Sequence, residues 1–265
     1  MSEDIYEIHA VRYARVDRRS SDNFLGGDPH DYPMPLDYYV WAITGGGRTY
    51  VVDTGFDAVV GAKRKRQMLT PVDEGLRAIG IDHTTVEDVI ITHLHYDHSG
   101  NTPLFPNARF HIQDGEMSFA TGRCMCHSMI GGNYEEDDIV AMVRRNFRGQ
   151  LKFHDGDSEL APGITLHKLC GHSAALQAVR VKTKRGYVVL ASDAAHHYAH
   201  MEQNRAFPAL HDLPQLLEGY KTLKHLATSP AHIVPGHDEL VLKRYPAASA
   251  AAEGIACRLD LPPSE

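Results

Sequence analysis

The densest group of potential metal ligands in the chain is residues 93–98, with the sequence His-Leu-His-Tyr-Asp-His. Its imidazoles and its carboxylate come directly after the apolar, β-branched stretch 89–92. Neutral imidazole nitrogen and carboxylate oxygen are ligands of Zn²⁺, and they also suit iron and manganese. Because the run holds no cysteine, it is not typical of a structural zinc knuckle. The pattern instead indicates an open, catalytic metal site with room for water.

Further potential ligands each follow an apolar run elsewhere in the chain. His172 comes after the run 166–169, Asp193 after 188–190 and His237 after 233–234, in each case across a short turn. Chemistry in α/β proteins is concentrated at strand ends, because a rigid sheet fixes the loops that follow it. Together with residues 93–98, these segments favour one metal site assembled at the edge of a sheet.

Short β-branched runs alternate along the chain with longer helical patterns, which predicts an α/β layered architecture. The predicted strands are 38–44, 49–53, 88–92, 109–112, 164–169, 178–182, 187–191 and 232–234, and the three glycines at 45–47 predict a tight turn between the first two. The predicted helices are 70–79, 114–120, 136–146, 213–227 and an alanine-rich, peripheral one at 247–256. No repeat or low-complexity linker divides the chain, so we expect a single domain over residues 1–265.

The composition is that of an ordinary soluble globular protein. The 265 residues are 43% apolar and 23% charged, and 34 acidic against 27 basic side chains give a net charge of −7. An acidic chain lacks the basic face that phosphate neutralisation requires, which argues against nucleic acid as a partner. The one basic run, residues 63–66, is short and is interpreted as a solvated surface.

The chain shows neither a targeting signal nor a membrane segment. No apolar run approaches the roughly 18 residues that a membrane helix needs. The acidic start, residues 1–5, lacks the basic and apolar parts of a signal peptide. The four cysteines match neither a disulfide framework nor paired zinc knuckles. We therefore expect a reducing, cytoplasmic location and no membrane partner.

The order of the candidate ligands resembles the signature of the metallo-β-lactamase superfamily. The elements that carry the resemblance are the run 93–98, a Gly-His pair at 171–172, Asp193, a second Gly-His pair at 236–237 and a strand-turn element at 51–55. They lie in the superfamily's order and extend from about residue 36 to residue 238. The resemblance implies an αββα sandwich, two mixed β-sheets flanked by helices, with a dinuclear metal site at one edge.

Carried over residue by residue, the resemblance assigns each ligand to one of two metal positions. One ion would be held by His93, His95 and His172, and the second by Asp97, His98 and His237, with Asp193 bridging the two. Asp53 would bind no metal; in the family this position orients the ligand imidazoles from behind. The expected cofactor is a pair of divalent ions, with Zn²⁺ preferred and iron or manganese as alternatives.

The ligand set points to hydrolysis. Two neighbouring divalent ions lower the pKa of a shared water, giving hydroxide near neutral pH, and they polarise a substrate carbonyl. Asp97 can receive the proton of the attacking water and pass it to the leaving alkoxide. The sequence contains no Gly-x-Ser-x-Gly nucleophile motif. We therefore expect a zinc-dependent hydrolase in which metal-bound hydroxide attacks an ester-like bond.

Within the superfamily, the chain resembles the N-acyl-homoserine lactonase group as a divergent member. Those lactonases usually carry Asp-x-x-Tyr after the bridging aspartate, whereas here His196 replaces the tyrosine and Tyr198 lies two residues later. The second histidine of their Gly-His-Thr-x-Gly-His motif is also missing from residues 171–177. Since an imidazole can donate to a carbonyl oxygen, we predict a catalytic role for His196, with a bystander as the alternative. Tyr96 and Tyr198 are predicted to line the substrate pocket.

The resemblance also implies the reaction and the partners. The expected reaction is the opening of a lactone ring, with an N-acyl-homoserine lactone (a quorum-sensing signal) as one candidate substrate. The alternative is hydrolysis of a thioester, an ester or a cyclic amide, and an iron-dependent sulfur dioxygenase is less favoured. The loop 119–134 would form one wall of an apolar pocket or an ordinary surface excursion. The expected partner is a small-molecule substrate, and a homodimer is left open.

Overall fold

The computed structural model describes residues 4–264; residues 1–3 and 265, at the ends of the predicted domain, lie outside the described residues. In chain order, the strands are β1 (Glu7–Val16), β2 (Leu36–Gly45), β3 (Arg48–Val52), β4 (Gln67–Met68), β5 (Asp88–Ile90), β6 (Arg109–Gln113), β7 (Leu151–His154), β8 (Ser158–Ala161), β9 (Ile164–Leu169), β10 (Leu176–Thr183), β11 (Gly186–Ser192), β12 (Ile233–Pro235) and β13 (Ala256–Arg258). The α-helices are α1 (Ser20–Asn23), α2 (Ala58–Lys63), α3 (Val72–Ala78), α4 (Tyr96–Ser99), α5 (Asp114–Ala120), α6 (Ser128–Gly131), α7 (Glu136–Phe147), α8 (Tyr198–Gln203), α9 (Leu213–Leu226) and α10 (Leu240–Arg244).

The strands form two mixed sheets. The larger has the order β13-β1-β2-β3-β5-β6-β7, with β4 paired to β1, and the smaller has the order β12-β11-β10-β9-β8. In the larger sheet β3, β5, β6 and β7 are parallel to one another. In the smaller sheet β11 is parallel to β12, and β9 has the same direction because β9 and β11 are both antiparallel to β10. Parallel strands bring their carboxyl ends, and the loops that follow, to one edge of each sheet.

The side chains of β2 show how the layers are built. Tyr39, Trp41 and Ile43 pack in a core that they share with the inner residues of β9 to β12. Tyr38 and Val40, on the opposite face, pack in a second core with α3, α5 and α7. One strand serves both cores because successive side chains of a strand point to opposite faces. With α9 against the smaller sheet, the layers are helix, sheet, sheet and helix, which is the αββα sandwich that the resemblance implied.

The predicted strands and the predicted turn are confirmed, as are all predicted helices except the last. At the turn, Gly46 and Gly47 have φ of 57° and 73°. They join β2 to β3 so that Gly45 pairs with Arg48. Two consecutive residues with positive φ match the twist of a two-residue hairpin, and glycine adopts this conformation at little cost.

The helix predicted over residues 247–256 is wrong. A single 3-10 turn spans Ala250–Ala252, and Ala256 begins β13, where it pairs with Val11 of β1. Gly254, with φ of 73°, reverses the chain between the two. Ala252 and Ala256 are fully buried. Their small side chains allow β13 to pack closely on the larger sheet, so tertiary pairing outweighs the helical propensity of alanine.

The sequence pattern does not predict β1, because two arginines interrupt its apolar alternation. Both arginines bind the carboxylate of Asp37 on β2: Arg12 Nη1 lies 3.0 Å and Arg15 Nη1 lies 3.3 Å from its oxygens. The Asp37 side chain is fully buried, whereas the arginines are only partly so. Charges on β1 are therefore tolerated because they neutralise a buried carboxylate on the neighbouring strand.

Across residues 4–264, no helix combines the length and the apolar character needed to span a membrane.

Replacing Asp37 by alanine should lower the free energy of unfolding by about 3 kcal/mol, because it removes the buried carboxylate that the guanidinium groups of Arg12 and Arg15 share. Asp17 offers a matched control, since it pairs with the same Arg15 but its side chain is 93% exposed. Asp17→Ala should leave the stability unchanged, as exposed pairs contribute little. Urea unfolding followed by circular dichroism measures both variants, and equal losses would contradict the role assigned to Asp37.

Candidate metal centre

The predicted ligands meet at one edge of the sandwich. Asp53 directly follows β3, and His93 lies three residues beyond the end of β5. In the smaller sheet, His172, Asp193 and His237 follow β9, β11 and β12, the strands that share one direction. The site is therefore assembled from both sheets, and His93, His172, Asp193 and His237 each lie one to three residues past a strand end.

The run 93–98 supplies ligands on two sides because its backbone changes conformation within it. His95 has an extended backbone, with φ of −65° and ψ of 153°, and acts as the N-cap of the one-turn helix α4. Asp97 and His98 lie within that helical turn. The extended residues and the helical residues consequently direct their side chains to different places.

Both Gly-His pairs need their glycine for close approach. Gly171 has φ of 125°, and a Cβ there would lie 2.4 Å from the backbone nitrogen of Leu216. A Cβ on Gly236 would lie 2.6 Å from Oδ1 of Asp193. Any larger residue at either position would displace the loop that carries the adjacent histidine.

The ligand atoms form three overlapping groups, within each of which they lie no more than 4.8 Å apart: His93, His95 and His172; Asp97, His98, Asp193 and His237; and His172, Asp193 and His196. The first two groups correspond to the two predicted metal positions. Asp193 Oδ2 is 3.2 Å from His172 Nε2, and Asp193 Oδ1 is 3.3 Å from His98 Nε2. Asp193 therefore contacts both of these groups, as the bridging ligand implied by the resemblance would.

The donor set fits cations. Nε2 of His98, Oδ1 of Asp193 and Nε2 of His196 are buried and make no well-aligned hydrogen bond among the described residues, although both imidazole nitrogens lie within 3.3 Å of an Asp193 oxygen. A buried polar atom without a partner costs about 1 to 3 kcal/mol. Three such atoms directed at one small volume are explained if positive ions satisfy them.

The ring nitrogens that face away from the centre are held by the fold. His98 Nδ1 donates to Asp53 at 2.7 Å, His172 Nδ1 to the carbonyl of Ala209 at 2.7 Å, and His237 Nδ1 to the carbonyl of Asp37 at 2.9 Å. Such bonds fix the tautomer and the ring orientation, leaving the other nitrogen free for a metal. Asp53 is fully buried and is itself held by the backbone N–H and hydroxyl of Thr92.

The electrostatics favour neutral imidazoles on one side and positive charge on the other. Burial lowers the pKa of His93 and His95 well below the usual value, and neighbouring imidazoles lower it further. Neutral imidazole is the form that binds metal. Burial acts in the same direction on His98, but Asp193 and the other nearby carboxylates outweigh it and raise the pKa of His98 well above its usual value.

Glu116 is a residue of the site that sequence reasoning missed. It is fully buried in α5, and its carboxylate accepts hydrogen bonds from the backbone N–H of Leu94 at 3.1 Å, the hydroxyl of Ser173 at 2.8 Å and the N–H of Ala175 at 3.2 Å. It thereby ties the loop of His93 to the loop of His172. The only signal in the sequence is an acidic residue on the face of α5 that also carries Met117 and Ala120.

An open cleft of about 110 Å³ leads to the centre. Five of the predicted ligands line it (His95, Asp97, His172, Asp193 and His237), together with His196, Tyr96, Tyr38, Arg18, Arg66 and Leu36. A neighbouring pocket has one wall formed by the segment 119–134, through Phe119, Met129 and Ile130.

The structure places His196 and Tyr198 differently. His196 stacks on Phe207, with ring centroids 3.7 Å apart, and its Nε2 lies 2.9 Å from Asp193 Oδ2. Tyr198, in contrast, packs in the core between the sheets under the guanidinium of Arg244. Tyr198 is not among the described residues that line the cleft. The substrate contact expected of Tyr198 therefore has no support, because the helix α8 turns its ring away from the metal ligands.

Residues 63–66 are interpreted from the sequence as a solvated surface, and this interpretation is wrong for the two arginines of the run. Arg64 pairs with Glu135, and its guanidinium lies 3.8 Å from the ring centre of Tyr96. Arg66 is half-buried, and its Nε donates to the hydroxyl of Tyr96 at 3.1 Å. The segment turns inward because Tyr96, beside the metal ligands, offers both an aromatic face and an acceptor.

Comparison with curated proteins identifies lactonases as relatives. The chain is 29% identical to an N-acyl homoserine lactonase of Bacillus cereus over 165 residues, which are 62% of this chain and 60% of the relative. The match therefore spans less than two thirds of that relative's length. The chain is also 28% identical to the N-acyl homoserine lactonase AttM of Rhizobium radiobacter over 235 residues, 80% of this chain and 85% of the relative.

Comparison with solved structures supports the same fold. A quorum-quenching N-acyl homoserine lactone lactonase superposes with a TM-score of 0.74 at 24% identity, over 90% of this chain and 95% of that one. AidC, a dizinc quorum-quenching lactonase, superposes with a TM-score of 0.67 at 17% identity, over 89% of each chain. Residues 34–237, most of the sequence, match the metallo-beta-lactamase superfamily. The chain belongs to the metallo-beta-lactamase superfamily.

Proposed function

We propose that this protein is a metal-dependent hydrolase that opens a lactone ring and uses two divalent ions, preferably Zn²⁺. The observation that carries the proposal is that Asp193, a member of the second ligand group, also lies 3.2 Å from His172 of the first. A structural zinc site would need only one closed set of four ligands, usually with cysteine. The names of the relatives, which are lactonases, and of AidC, a dizinc lactonase, support the substrate class and the metal.

The residues that would hold the ions are those of the first two groups. His93, His95 and His172 would hold one ion, Asp97, His98 and His237 the other, and Asp193 would contact both. When bound, such ions supply a water of lowered pKa and polarise a substrate carbonyl. The fold contributes preorganisation, since each outer ring nitrogen of His98, His172 and His237 is already bonded to a fixed oxygen.

Asp97 is suited to move the proton in this reaction. Its carboxylate lines the cleft, and Oδ2 lies 3.7 Å from His98 Nε2 and 3.6 Å from His237 Nε2. Ring opening adds water across the acyl C–O bond, so one proton must leave the water and one must reach the departing alkoxide. A carboxylate that borders both the ligands and the open cleft can carry out both transfers.

Two further side chains can bind the substrate carbonyl or the leaving oxygen. Burial and the nearby Asp97 raise the pKa of Tyr96 to about 12, so that its phenol remains a hydrogen-bond donor at neutral pH. His196 lines the cleft beside Asp193, and its stacking on Phe207 fixes the ring plane. We propose His196 as the catalytic imidazole that replaces the tyrosine of related lactonases.

Thioester, ester and cyclic-amide hydrolysis would use the same groups and remain the alternative. A sulfur dioxygenase with a single iron is less favoured, because the second group of ligands would then have no function. The substrate class therefore has to be decided by turnover.

The zinc-loaded protein should hydrolyse γ-butyrolactone derivatives, and the rate should fall by about a hundred- to ten-thousandfold in Asp97→Asn, because the proton acceptor is lost. A pH indicator that reports proton release measures the rate, and circular dichroism checks folding. Asp114→Asn, at an exposed position of α5, is the control and should keep full activity. Sulfite production with one iron per chain, or undiminished turnover in Asp97→Asn, would overturn the proposal.

His196→Ala should lower kcat by about ten- to a thousandfold, comparable to the loss of an oxyanion donor. Zinc content should be unchanged if His196 acts on the substrate, so elemental analysis accompanies the kinetics. The exposed His225 provides the control variant His225→Ala. Unchanged kcat in His196→Ala would make this residue a bystander, and a lost equivalent of zinc would make it a ligand instead.

Glu116→Gln should weaken zinc binding by about ten- to a hundredfold, as for other groups that hold metal ligands from behind. The amide cannot accept from Leu94, Ser173 and Ala175 at once as the carboxylate does. Competition with a chromophoric chelator gives the dissociation constant, and Asp114→Asn on the same helix is the control. Wild-type zinc affinity in Glu116→Gln would show that Glu116 does not position the ligand loops.

A further inference from the structure

Two arginines, Arg18 and Arg66, line the cleft beside the candidate metal ligands. They come from distant parts of the chain: Arg18 follows β1, and Arg66 precedes β4. Both are half-buried. Neither has a part in the proposed hydrolysis, which needs only the ligands, Asp97 and a donor to the carbonyl.

These arginines differ from their neighbours in having no acidic partner. Arg15, Arg19 and Arg64 each form an ion pair with a carboxylate. Within residues 4–264, the bonds of Arg18 and Arg66 go instead to uncharged oxygens: Arg18 donates to the carbonyl of Asp22, and Arg66 to the carbonyl of Arg64 and the hydroxyl of Tyr96. Neither arginine therefore forms an ion pair with a carboxylate of the described protein.

Arg66 is also held rigidly. Its Nη1 donates to the carbonyl of Arg64 at 2.9 Å and its Nε to Tyr96 at 3.1 Å, while the hydroxyl of Tyr96 lies 3.3 Å from that of Tyr38. Nη2 has no bond among the described contacts and remains available. A guanidinium fixed in this way loses little conformational entropy when it binds a ligand, and its planar edge matches a carboxylate.

The described residues that line the cleft include two carboxylates, Asp97 and Asp193, and both belong to the metal ligand groups. Neither forms an ion pair with Arg18 or Arg66, although the Asp97 carboxylate interacts with Arg66 at longer range. An anionic substituent would give both half-buried guanidiniums a direct counter-charge, which a neutral lactone cannot supply.

We propose that the substrate of this enzyme is a lactone that carries a carboxylate, and that Arg18 and Arg66 bind this carboxylate while the ring lies at the metal ligands. The proposal rests on the lactonase function proposed above and specifies its substrate class. It distinguishes this protein from an enzyme selective for uncharged lactones with an apolar tail.

The test compares two nearly isosteric lactones, 5-oxotetrahydrofuran-2-carboxylate and the corresponding carboxamide, on the zinc-loaded protein. The wild type should favour the carboxylate in kcat/KM by about ten- to a hundredfold, the range expected for charge-assisted hydrogen bonds. Arg18→Gln and Arg66→Gln should each reduce this ratio towards one. Arg66→Lys, which retains the charge, should retain part of the preference, and Arg144→Gln, on the exposed face of α7, should leave the ratio unchanged.

The ratio, rather than the absolute rate, decides the outcome, because Arg66 also contacts Tyr96 and its removal can slow both substrates alike. A wild-type ratio near one, or a ratio that persists in both glutamine variants, would overturn the proposal. If neither lactone is hydrolysed, the lactonase function fails. Calorimetric binding of the two ring-opened products then decides the arginine sites independently: tighter binding of the dicarboxylate that is lost in Arg66→Gln supports them, and equal binding refutes them.

Discussion

The constraint on which the rest of this structure depends is the burial of many metal-binding side chains around one carboxylate, Asp193. Imidazole nitrogens from both sheets surround it, and some of the buried atoms make no well-aligned hydrogen bond in the described protein. Packing of this kind is unfavourable unless positive charge is supplied. Under the proposed function, the sandwich is a scaffold in which bound cations would offset the cost of the buried polar edge.

The ligands at that edge are connected to the rest of the fold by the groups that hold their rings and loops on the side away from the centre. Asp53, the carbonyl of Asp37 and Glu116 each hold a ligand or its loop, and each is anchored in a sheet or a helix. Asp37 connects the β1–β2 pair to the metal ligands most directly. Its side chain neutralises arginines on β1, while its backbone carbonyl accepts a hydrogen bond from His237. Stability and site geometry therefore depend on some of the same residues, and substitutions that loosen the β1–β2 pair are expected to disturb His237 as well.

Features that depend on a short stretch of sequence could be predicted, whereas features that depend on contacts between distant residues could not. The run 93–98 and the ligands past β9, β11 and β12 could be found because a ligand after an apolar strand is a short-range pattern. Glu116 could not, since it bonds to two loops distant in sequence and its own helix shows only an acidic residue on an apolar face. Arg66 was mistaken for a surface residue because its partner, Tyr96, is distant in sequence. The alanine-rich segment 247–256 follows the same rule: its pairing with β1 determines its conformation, and local propensity does not.

Anomalous diffraction at the zinc absorption edge, from crystals of the zinc-loaded protein, would show directly whether two cations lie on either side of Asp193. We expect two peaks per chain, one among His93, His95 and His172 and the other among Asp97, His98 and His237, with the carboxylate of Asp193 between them. A single peak, or peaks elsewhere in the chain, would contradict this expectation.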